Sequence, residues 1–170
     1  LVLRTRLRGR QWLDWAASTA LAVPGVVLGI GGWAGHAHKG FSLYAHGYVG
    51  RASLASNFSA VTGACMAVQK KHFDQAGGFD EVNLKVACND VDLCLRFAEM
   101  GLRNLFTPHA LLFHHESATR GYEDTPEKKA RFQKEVDYMW KRWPVMMARD
   151  PAYSPYLSLD HEDFGLAWPP

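Results

Sequence analysis

The stretch that decides the fold runs from Thr62 to Gly121, where strand-like and helix-like segments alternate. It opens with TGACMAV at Thr62–Val68, an apolar run of the length expected for a buried strand. The next segment, Lys70–Ala76, is polar and short, and it is followed by Gly77 and Gly78. Glycine readily takes the left-handed conformation that ends a helix, so this segment predicts a short helix.

The second half of the stretch predicts a longer helix and then two short strands. Asp90–Met100 precedes Gly101 and carries apolar residues at a helical period. The residues of that apolar face are Val91, Cys94, Leu95 and Ala98. Leu105–Phe106 and Leu111–Phe113 are predicted as buried strands on the two sides of a turn at Thr107-Pro108.

A third helix is predicted towards the C-terminus. Thr125-Pro126-Glu127 resembles a helix start, because proline suits the first turn, and Pro144 is expected to end the helix. Its apolar stripe is predicted to pack on the sheet and consists of Phe132, Val136, Met139, Trp140 and Trp143. The alternation of strands and helices predicts an α/β fold with a mixed sheet flanked by helices.

The N-terminal part is less regular, and it allows two interpretations. Four arginines within residues 1–10 precede an apolar stretch, which suits a signal segment or a membrane anchor. Asp14 and several glycines interrupt this stretch, which favours instead an amphipathic helix at Trp12–Ala22 and a buried strand at Val26–Ile30. Gly31–Gly50 is rich in glycine and predicts a loop.

Composition limits the class of protein. The chain has 170 residues, of which 48% are hydrophobic and 21% charged, as expected for one globular domain with a core. A net charge of +2 gives no reason to expect a nucleic-acid partner, since binding phosphate backbones requires clustered Lys and Arg. The three cysteines lack zinc-type spacing and predict free thiols in a reducing compartment.

In their order and spacing, the segments from Thr62 to Gly121 resemble the second half of the catalytic domain of glycosyltransferase family 2. This family has the GT-A fold, a nucleotide-diphospho-sugar transferase fold, and builds bacterial surface polysaccharides. A rhamnosyltransferase-like enzyme of cell-wall polysaccharide synthesis is one type that the resemblance allows. The resemblance assigns residues 25–143 to the acceptor-side half of the domain. It matches residues 1–24 poorly and makes residues 144–170 a turn-rich tail.

The resemblance implies an inverting enzyme that transfers a sugar from a nucleotide-sugar donor to a glycan or a lipid-linked acceptor. It would act in the cytoplasm, either free or at the inner face of the membrane. From a different class, the alternative is a non-catalytic fragment that keeps part of the fold and binds a glycan or a partner subunit.

The resemblance makes Asp90 the candidate catalytic base. Family members carry an acidic residue followed by Asp before this helix, whereas this chain has Asn89 and Asp90; Asn89 retains the ability to hydrogen-bond a sugar. From the residue type alone, Asp90 also suits the N-cap of the helix. Asp92 lies four residues before Arg96, the spacing of a helical ion pair, and is predicted to be structural.

Further substrate contacts are implied at three places, namely the start of the first strand, the turn after the first helix, and the loop after Phe113. Phe79 in that turn is expected either to form an apolar platform near the acceptor or to anchor the turn in the core. Arg120 suits a loop that closes over a diphosphate, since its guanidinium offers a fork of donors, and the alternative is an ion-paired Arg in a surface loop. The residues concerned are Thr62, Gly63, Gly78, Phe79, Asp80, Glu116, Ser117, Thr119 and Arg120.

By the same resemblance, His114 completes a Mg or Mn site for the donor diphosphate. Such ions need about six ligands, and in the family a DxD motif in the preceding half of the domain supplies part of them. That motif is missing at the corresponding place, since Asp14 is the only aspartate before Asp74. We therefore expect a missing N-terminal half or a homodimer partner to complete the enzyme. A weaker alternative is a metal-dependent hydrolase built on His36, His38, His114 and Glu116.

Overall fold

The computed structural model describes residues 19–22, 27–28, 36–37, 46–63, 66–109, 125–158 and 164–167. Its strands are β1 Thr19–Ala22, β2 Val27–Leu28, β3 His36–Ala37, β4 Ser56–Phe58, β5 Met66–Ala67 and β6 Arg103–Phe106. Its helices are α1 Lys70–Gln75, α2 Asn89–Glu99, α3 Pro126–Arg142 and α4 Pro144–Ala148, and Tyr48–Gly50 forms a 3₁₀ turn.

Four strands form a mixed sheet in the order β4-β6-β1-β5. Strand β1 runs parallel to β6 and antiparallel to β5, and β4 runs antiparallel to β6. Strands β2 and β3 make a separate antiparallel pair. The predicted α/β class with a mixed sheet is therefore present in the described part of the chain.

Two predictions about the N-terminal part are wrong where the structure describes it. Thr19–Ala22 is a strand, although it was predicted as the end of a helix over Trp12–Ala22. Because β1 lies between two other strands, hydrogen bonds on both edges outweigh the local amphipathic pattern. His36–Ala37 pairs with Val27–Leu28, so the predicted loop contains a strand there.

The hydrophobic core surrounds α2. The helix buries Val91, Leu93, Cys94, Leu95 and Phe97. Ala60, Val61, Leu84 and Met139 complete the cluster from the neighbouring segments. Ala98 is exposed, contrary to the prediction, because the buried surface of α2 extends around Leu93 and Phe97 instead.

Both predicted glycine helix ends are confirmed. Gly77 and Gly101 follow α1 and α2 with φ of 83° and 77°. After α2, the N–H of Leu102 donates to the carbonyl of Phe97 at 2.9 Å, and the N–H of Gly101 donates to the carbonyl of Ala98 at 3.0 Å. These paired bonds satisfy carbonyls that a helix end leaves open.

The predicted third helix is also confirmed. Thr125 caps α3, since its hydroxyl accepts from the N–H of Lys128 at 3.3 Å, and the helix ends before Pro144. Met139 is buried as the apolar stripe predicts, but it packs in the core beside α2, whereas the stripe was predicted to pack on the sheet, and Trp140 is 40% exposed. The predicted strand Leu111–Phe113 lies outside the described residues.

No helix in the described part of the chain combines the length and the apolar character that a membrane crossing requires.

Candidate functional site

Asp90 lies in the first turn of α2, and two backbone N–H groups hold its carboxylate. Oδ2 accepts from the N–H of Gly63 at 2.7 Å, and Oδ1 accepts from the N–H of Val91 at 2.9 Å. The N-cap position belongs to Cys88, which takes a left-handed conformation with φ of 60°. Asp90 is half-buried, so each oxygen has a fixed orientation while part of the carboxylate still meets solvent.

The Thr62-Gly63 segment therefore meets the start of α2, as expected if both belong to one site. The backbones approach closely, because a Cβ built on Gly63 would lie 3.1 Å from the Cβ of Asp90. Thr62 and Asn89 flank this contact along the chain.

A buried carboxylate from α3 fixes the segment that leads into α2. Glu135 is 3% exposed, and its Oε2 accepts from the N–H of Ala87 at 2.6 Å. A buried acceptor of this kind holds the backbone just before Cys88, Asn89 and Asp90. The sequence prediction missed Glu135, since Glu on a helix is ordinarily exposed.

Asp92 is fully buried, and its carboxylate is surrounded by donors. Oδ2 accepts from Nε of Arg96 at 2.8 Å, which confirms the predicted ion pair. Oδ1 accepts from Nε1 of Trp143 at 2.9 Å and lies 3.1 Å from Nε of Arg142. Asp92 thus joins α2 to the end of α3 and acts as a structural residue.

A second feature is an open groove of about 570 Å³, which is lined in part by the predicted turn at Gly78-Phe79-Asp80. The lining residues are Phe73, Ala76, Gly77, Gly78, Phe79, Asp80, Glu81, Val82, Arg96 and Arg142. Asp90 is not among the described residues that line it. The predicted substrate residues in the described chain therefore occupy two places, the start of α2 and this groove.

Phe79 anchors the turn, which is one of the two roles predicted for it, and its role as a platform for the acceptor stays a prediction. Its ring packs edge-to-face against Phe73, with centroids 5.4 Å apart, and this contact anchors the turn. The residue remains 38% exposed in the groove. An aromatic ring in this position offers an apolar face to a ligand.

Arg96 positions the turn that forms the groove floor. Its guanidinium donates from Nη2 to the carbonyl of Gly78 at 2.7 Å and from Nη1 to the carbonyl of Ala76. Because Nε is bound to Asp92, one side chain connects α2 with the end of α1.

The Asp80 carboxylate accepts hydrogen bonds from within the protein, and these bonds stabilise the turn. Its oxygens accept from the N–H groups of Val82 and Asn83 at 3.1 and 2.9 Å, and from the hydroxyl of Tyr138 at 2.9 Å. Burial opposes ionisation of the carboxyl, but these bonds and that of the Asn83 amide outweigh burial and lower its pKa to about 2. These bonds make Asp80 part of the framework of the turn, and its role as a substrate contact stays a prediction.

Arg142 is a groove residue that the sequence prediction missed. Its Nη1 donates to the Tyr138 hydroxyl at 2.8 Å and lies 3.7 Å from Oδ2 of Asp80. Burial lowers the pKa of the guanidinium, but the Tyr138 bond and the Asp92 carboxylate outweigh it and raise the pKa. The one sign of this arrangement in the sequence is the four-residue spacing of Tyr138 and Arg142 on a helix. The carboxylates near Arg142 belong to Asp80 and Asp92, which come from distant segments of the chain.

The two described cysteines are free thiols, as predicted, and neither suits a nucleophile. Burial raises the pKa of Cys88 to about 11, with further contributions from Asp90 and Glu135. Burial likewise raises the pKa of the core residue Cys94 to about 12. The reactive form of cysteine is the thiolate, which these environments disfavour.

Five predicted site residues lie outside the described residues, namely His114, Glu116, Ser117, Thr119 and Arg120. His38 lies outside them as well, so the hydrolase alternative stays a prediction. Within the described part of the chain, no group of three or more His, Cys, Asp or Glu side chains is placed to hold a metal ion.

Comparison with known proteins finds relatives that are much longer than this chain. It is 51% identical over 145 residues to an uncharacterized protein of Sinorhizobium fredii, covering 85% of this chain and 16% of the relative. It is 35% identical over 151 residues to the O-antigen biosynthesis protein RfbC of Myxococcus xanthus, covering 84% of this chain and 11% of the relative.

A shorter stretch of the chain is similar to a named transferase. Over 61 residues it is 34% identical to the N-acetylglucosaminyl-diphospho-decaprenol L-rhamnosyltransferase of Mycobacterium tuberculosis, covering 36% of this chain and 20% of the relative. No protein-family model and no solved structure matches the chain. The chain spans a fifth or less of the curated relatives it matches, and two of these are named for O-antigen biosynthesis and rhamnosyl transfer.

Proposed function

We propose that this chain is the acceptor-side part of an inverting glycosyltransferase of family 2, with a GT-A fold, that acts in bacterial surface polysaccharide synthesis. The observation that carries the proposal is Asp90, a carboxylate oriented by two backbone N–H groups in the first turn of α2. The names of two relatives support the reaction class, since one is an O-antigen biosynthesis protein and the other a rhamnosyltransferase.

In this mechanism, Asp90 takes the proton from an acceptor hydroxyl. The hydroxyl oxygen then bonds to the anomeric carbon of the donor sugar as the bond from that carbon to the nucleotide diphosphate breaks, and the configuration inverts. A fixed carboxylate beside the hydroxyl supplies general-base catalysis without losing orientational freedom in the reaction step. Asn89, directly before Asp90, is proposed to hydrogen-bond one of the sugars.

The groove is proposed to receive part of the acceptor glycan. Phe79 presents an exposed aromatic ring there, and Arg142 lies close by with a partly exposed guanidinium. Sugar rings pack their C–H faces on aromatic side chains, and their hydroxyls suit charged donors at the edge.

A divalent metal, when bound, would neutralise the leaving diphosphate. His114 is its proposed ligand in this chain, and Arg120 is proposed to contact the same diphosphate. The remaining ligands and the nucleotide pocket are proposed to come from the rest of a longer protein or from a second copy. The described residues contribute the base and the acceptor surface.

The first test is calorimetric titration of the 170-residue chain with UDP- and dTDP-sugars in the presence of Mn²⁺. A chain that is folded by circular dichroism but shows no heat of binding agrees with a donor site built elsewhere. Metal-dependent binding would place a complete donor site on this chain and contradict the division proposed here.

The second test measures sugar transfer by an active polypeptide that contains this chain. We expect Asp90→Asn to lower turnover by about a thousandfold, the range by which general-base catalysis contributes. Asp137→Asn is the matched control, since Asp137 is an exposed helical carboxylate that accepts from Gln133. Full activity in Asp90→Asn would refute the assignment of the base.

A further inference from the structure

We propose that Gly63 is a positioning residue that sets the orientation of the Asp90 carboxylate, and that it does not contact substrate directly. The contact itself is independent of the proposed function. Its catalytic consequence rests on that function.

The first argument is the hydrogen bond. The N–H of Gly63 donates to Oδ2 of Asp90 at 2.7 Å, the short distance typical of a bond to a carboxylate. The two residues lie 27 positions apart in the chain, so this bond fixes the start of α2 against the segment before β5. With this donor bound to Asp90, the Gly63 backbone has no N–H left for a sugar.

The second argument is space. A Cβ on Gly63 would lie 3.1 Å from the Cβ of Asp90 and 3.5 Å from its Oδ2. The first distance is shorter than ordinary van der Waals contact, and the atom in the way is the Asp90 Cβ, which moves only with the backbone of α2. Any larger residue at position 63 therefore has to displace Asp90 by a few tenths of an ångström.

The third argument is that the second oxygen has its own partner. The N–H of Val91 donates to Oδ1 at 2.9 Å, and that donor belongs to the same helix as Asp90. Gly63 is thus the partner that fixes the carboxylate relative to a segment outside α2. Without it, the carboxylate would be oriented with respect to α2 alone.

The contact is tested on the 170-residue chain by amide hydrogen exchange of Gly63, followed by NMR. Position 63 is exposed, so its slow exchange would come from this hydrogen bond. We expect exchange to become about fivefold faster in Asp90→Ala, the loss expected for one hydrogen bond. Asp74→Ala is the matched control, since it removes an exposed carboxylate from α1 and leaves Gly63 unchanged. Unchanged exchange of Gly63 in folded Asp90→Ala would overturn the inference.

The catalytic consequence is tested by Gly63→Ala in the active polypeptide used for Asp90→Asn. We expect kcat to fall about tenfold with KM for donor and acceptor unchanged, because a small misplacement of a base affects the reaction step. Gly101→Ala is the control, since that glycine has no atom within 4 Å of an added Cβ and should lose stability without losing kcat. A rise in KM with kcat unchanged would instead make Gly63 a substrate contact. Activity in Asp90→Asn would contradict the proposed base, yet leave the exchange result intact.

Discussion

Replacing Asp92 by Asn should destabilise the protein far more than replacing an exposed aspartate. The Asp92 carboxylate is fully buried and receives Nε of Arg96 at 2.8 Å, Nε1 of Trp143 at 2.9 Å and Nε of Arg142 at 3.1 Å. An amide has the same shape but only one acceptor oxygen. The NH₂ group of the asparagine must therefore face a donor, either Arg96 on one side or Trp143 and Arg142 on the other.

The expected loss of stability follows from the arginine charge that Asp92→Asn leaves buried without its carboxylate partner. The Arg96 side chain is 13% exposed, so its charge would lose its carboxylate partner in a largely dry environment. Removing one member of a buried pair costs about 3–5 kcal/mol. Arg96 keeps its carbonyl partners at Ala76 and Gly78, and Arg142 is partly solvated, so we expect about 3 kcal/mol. For a chain of this length, that loss lowers Tm by roughly 6–12 °C.

The assay is urea unfolding followed by far-UV circular dichroism and tryptophan fluorescence, with Asp74→Asn as the control. Asp74 pairs with Lys70 on the surface of α1, where the side chains are 54% and 72% exposed, and its replacement should cost about 0.5 kcal/mol or less. A loss below about 1 kcal/mol in Asp92→Asn, comparable with the control, would refute the view that this buried network holds α2 against α3.

Two other predictions concern the turn and the helix ends. Because the pKa of Asp80 is about 2 in the folded protein and 3.8 ordinarily, its ionised form contributes stability that is complete above about pH 4 and lost as pH falls towards 2. After allowance for solvent near the turn, this contribution is about 1 kcal/mol. Urea unfolding at pH 5 and pH 2.5 should show that the free energy of unfolding depends less on pH in Asp80→Asn than in the unmodified protein. An equal dependence in both proteins would contradict the assignment of this effect to Asp80. Gly101→Ala should cost about 1 kcal/mol from its left-handed conformation alone, whereas Gly78→Ala should cost more, since its Cβ would also lie 3.2 Å from the ring of Phe73. Equal losses in the two variants would show that the ring moves aside freely.

Local sequence patterns predicted the elements whose boundaries depend on nearby residues. Gly77 and Gly101 follow helices because only glycine takes a positive φ without strain, and that requirement is visible in the sequence. Thr125 and the proline after it mark the start of α3 for the same kind of reason. The Asp92–Arg96 ion pair follows from a spacing of four residues on a helix.

Tertiary contacts decided the features that the sequence did not predict. Thr19–Ala22 is a strand because β5 and β6 pair with its two edges, and neither partner is near in the chain. Ala98 and Trp140 follow the apolar period yet remain exposed, since the position of the neighbouring elements determines how much of each helix is covered. Glu135 is buried because its carboxylate accepts from the backbone N–H of Ala87, which lies 48 residues away in the chain.

For the candidate site, the structure adds the partners of the predicted residues, which the sequence alone does not give. Gly63 and Asp90 are in direct contact, and the hydrogen bond between them is the observation on which the proposed positioning role of Gly63 rests. Asp80 lies at the groove as expected, yet Asn83 and Tyr138 occupy its oxygens. Residue type gives the chemistry that a side chain can perform, whereas its partners decide which part of that chemistry is left for a ligand.

Helix α2 connects the two places where substrate contacts are proposed. Asp90 lies in its first turn and Arg96 lies six residues later, so the rise of an α-helix separates them by about 9 Å along the axis. Gly63 holds the Asp90 end, and Arg96 holds the Gly78 turn at the groove. The core residues between them are buried, so the helix cannot bend without losing packing. The distance from Asp90 to the groove floor is therefore set by backbone geometry. Because Arg96 keeps its carbonyl partners in Asp92→Asn, that variant should retain both the Gly78 turn at the groove and the Gly63–Asp90 contact.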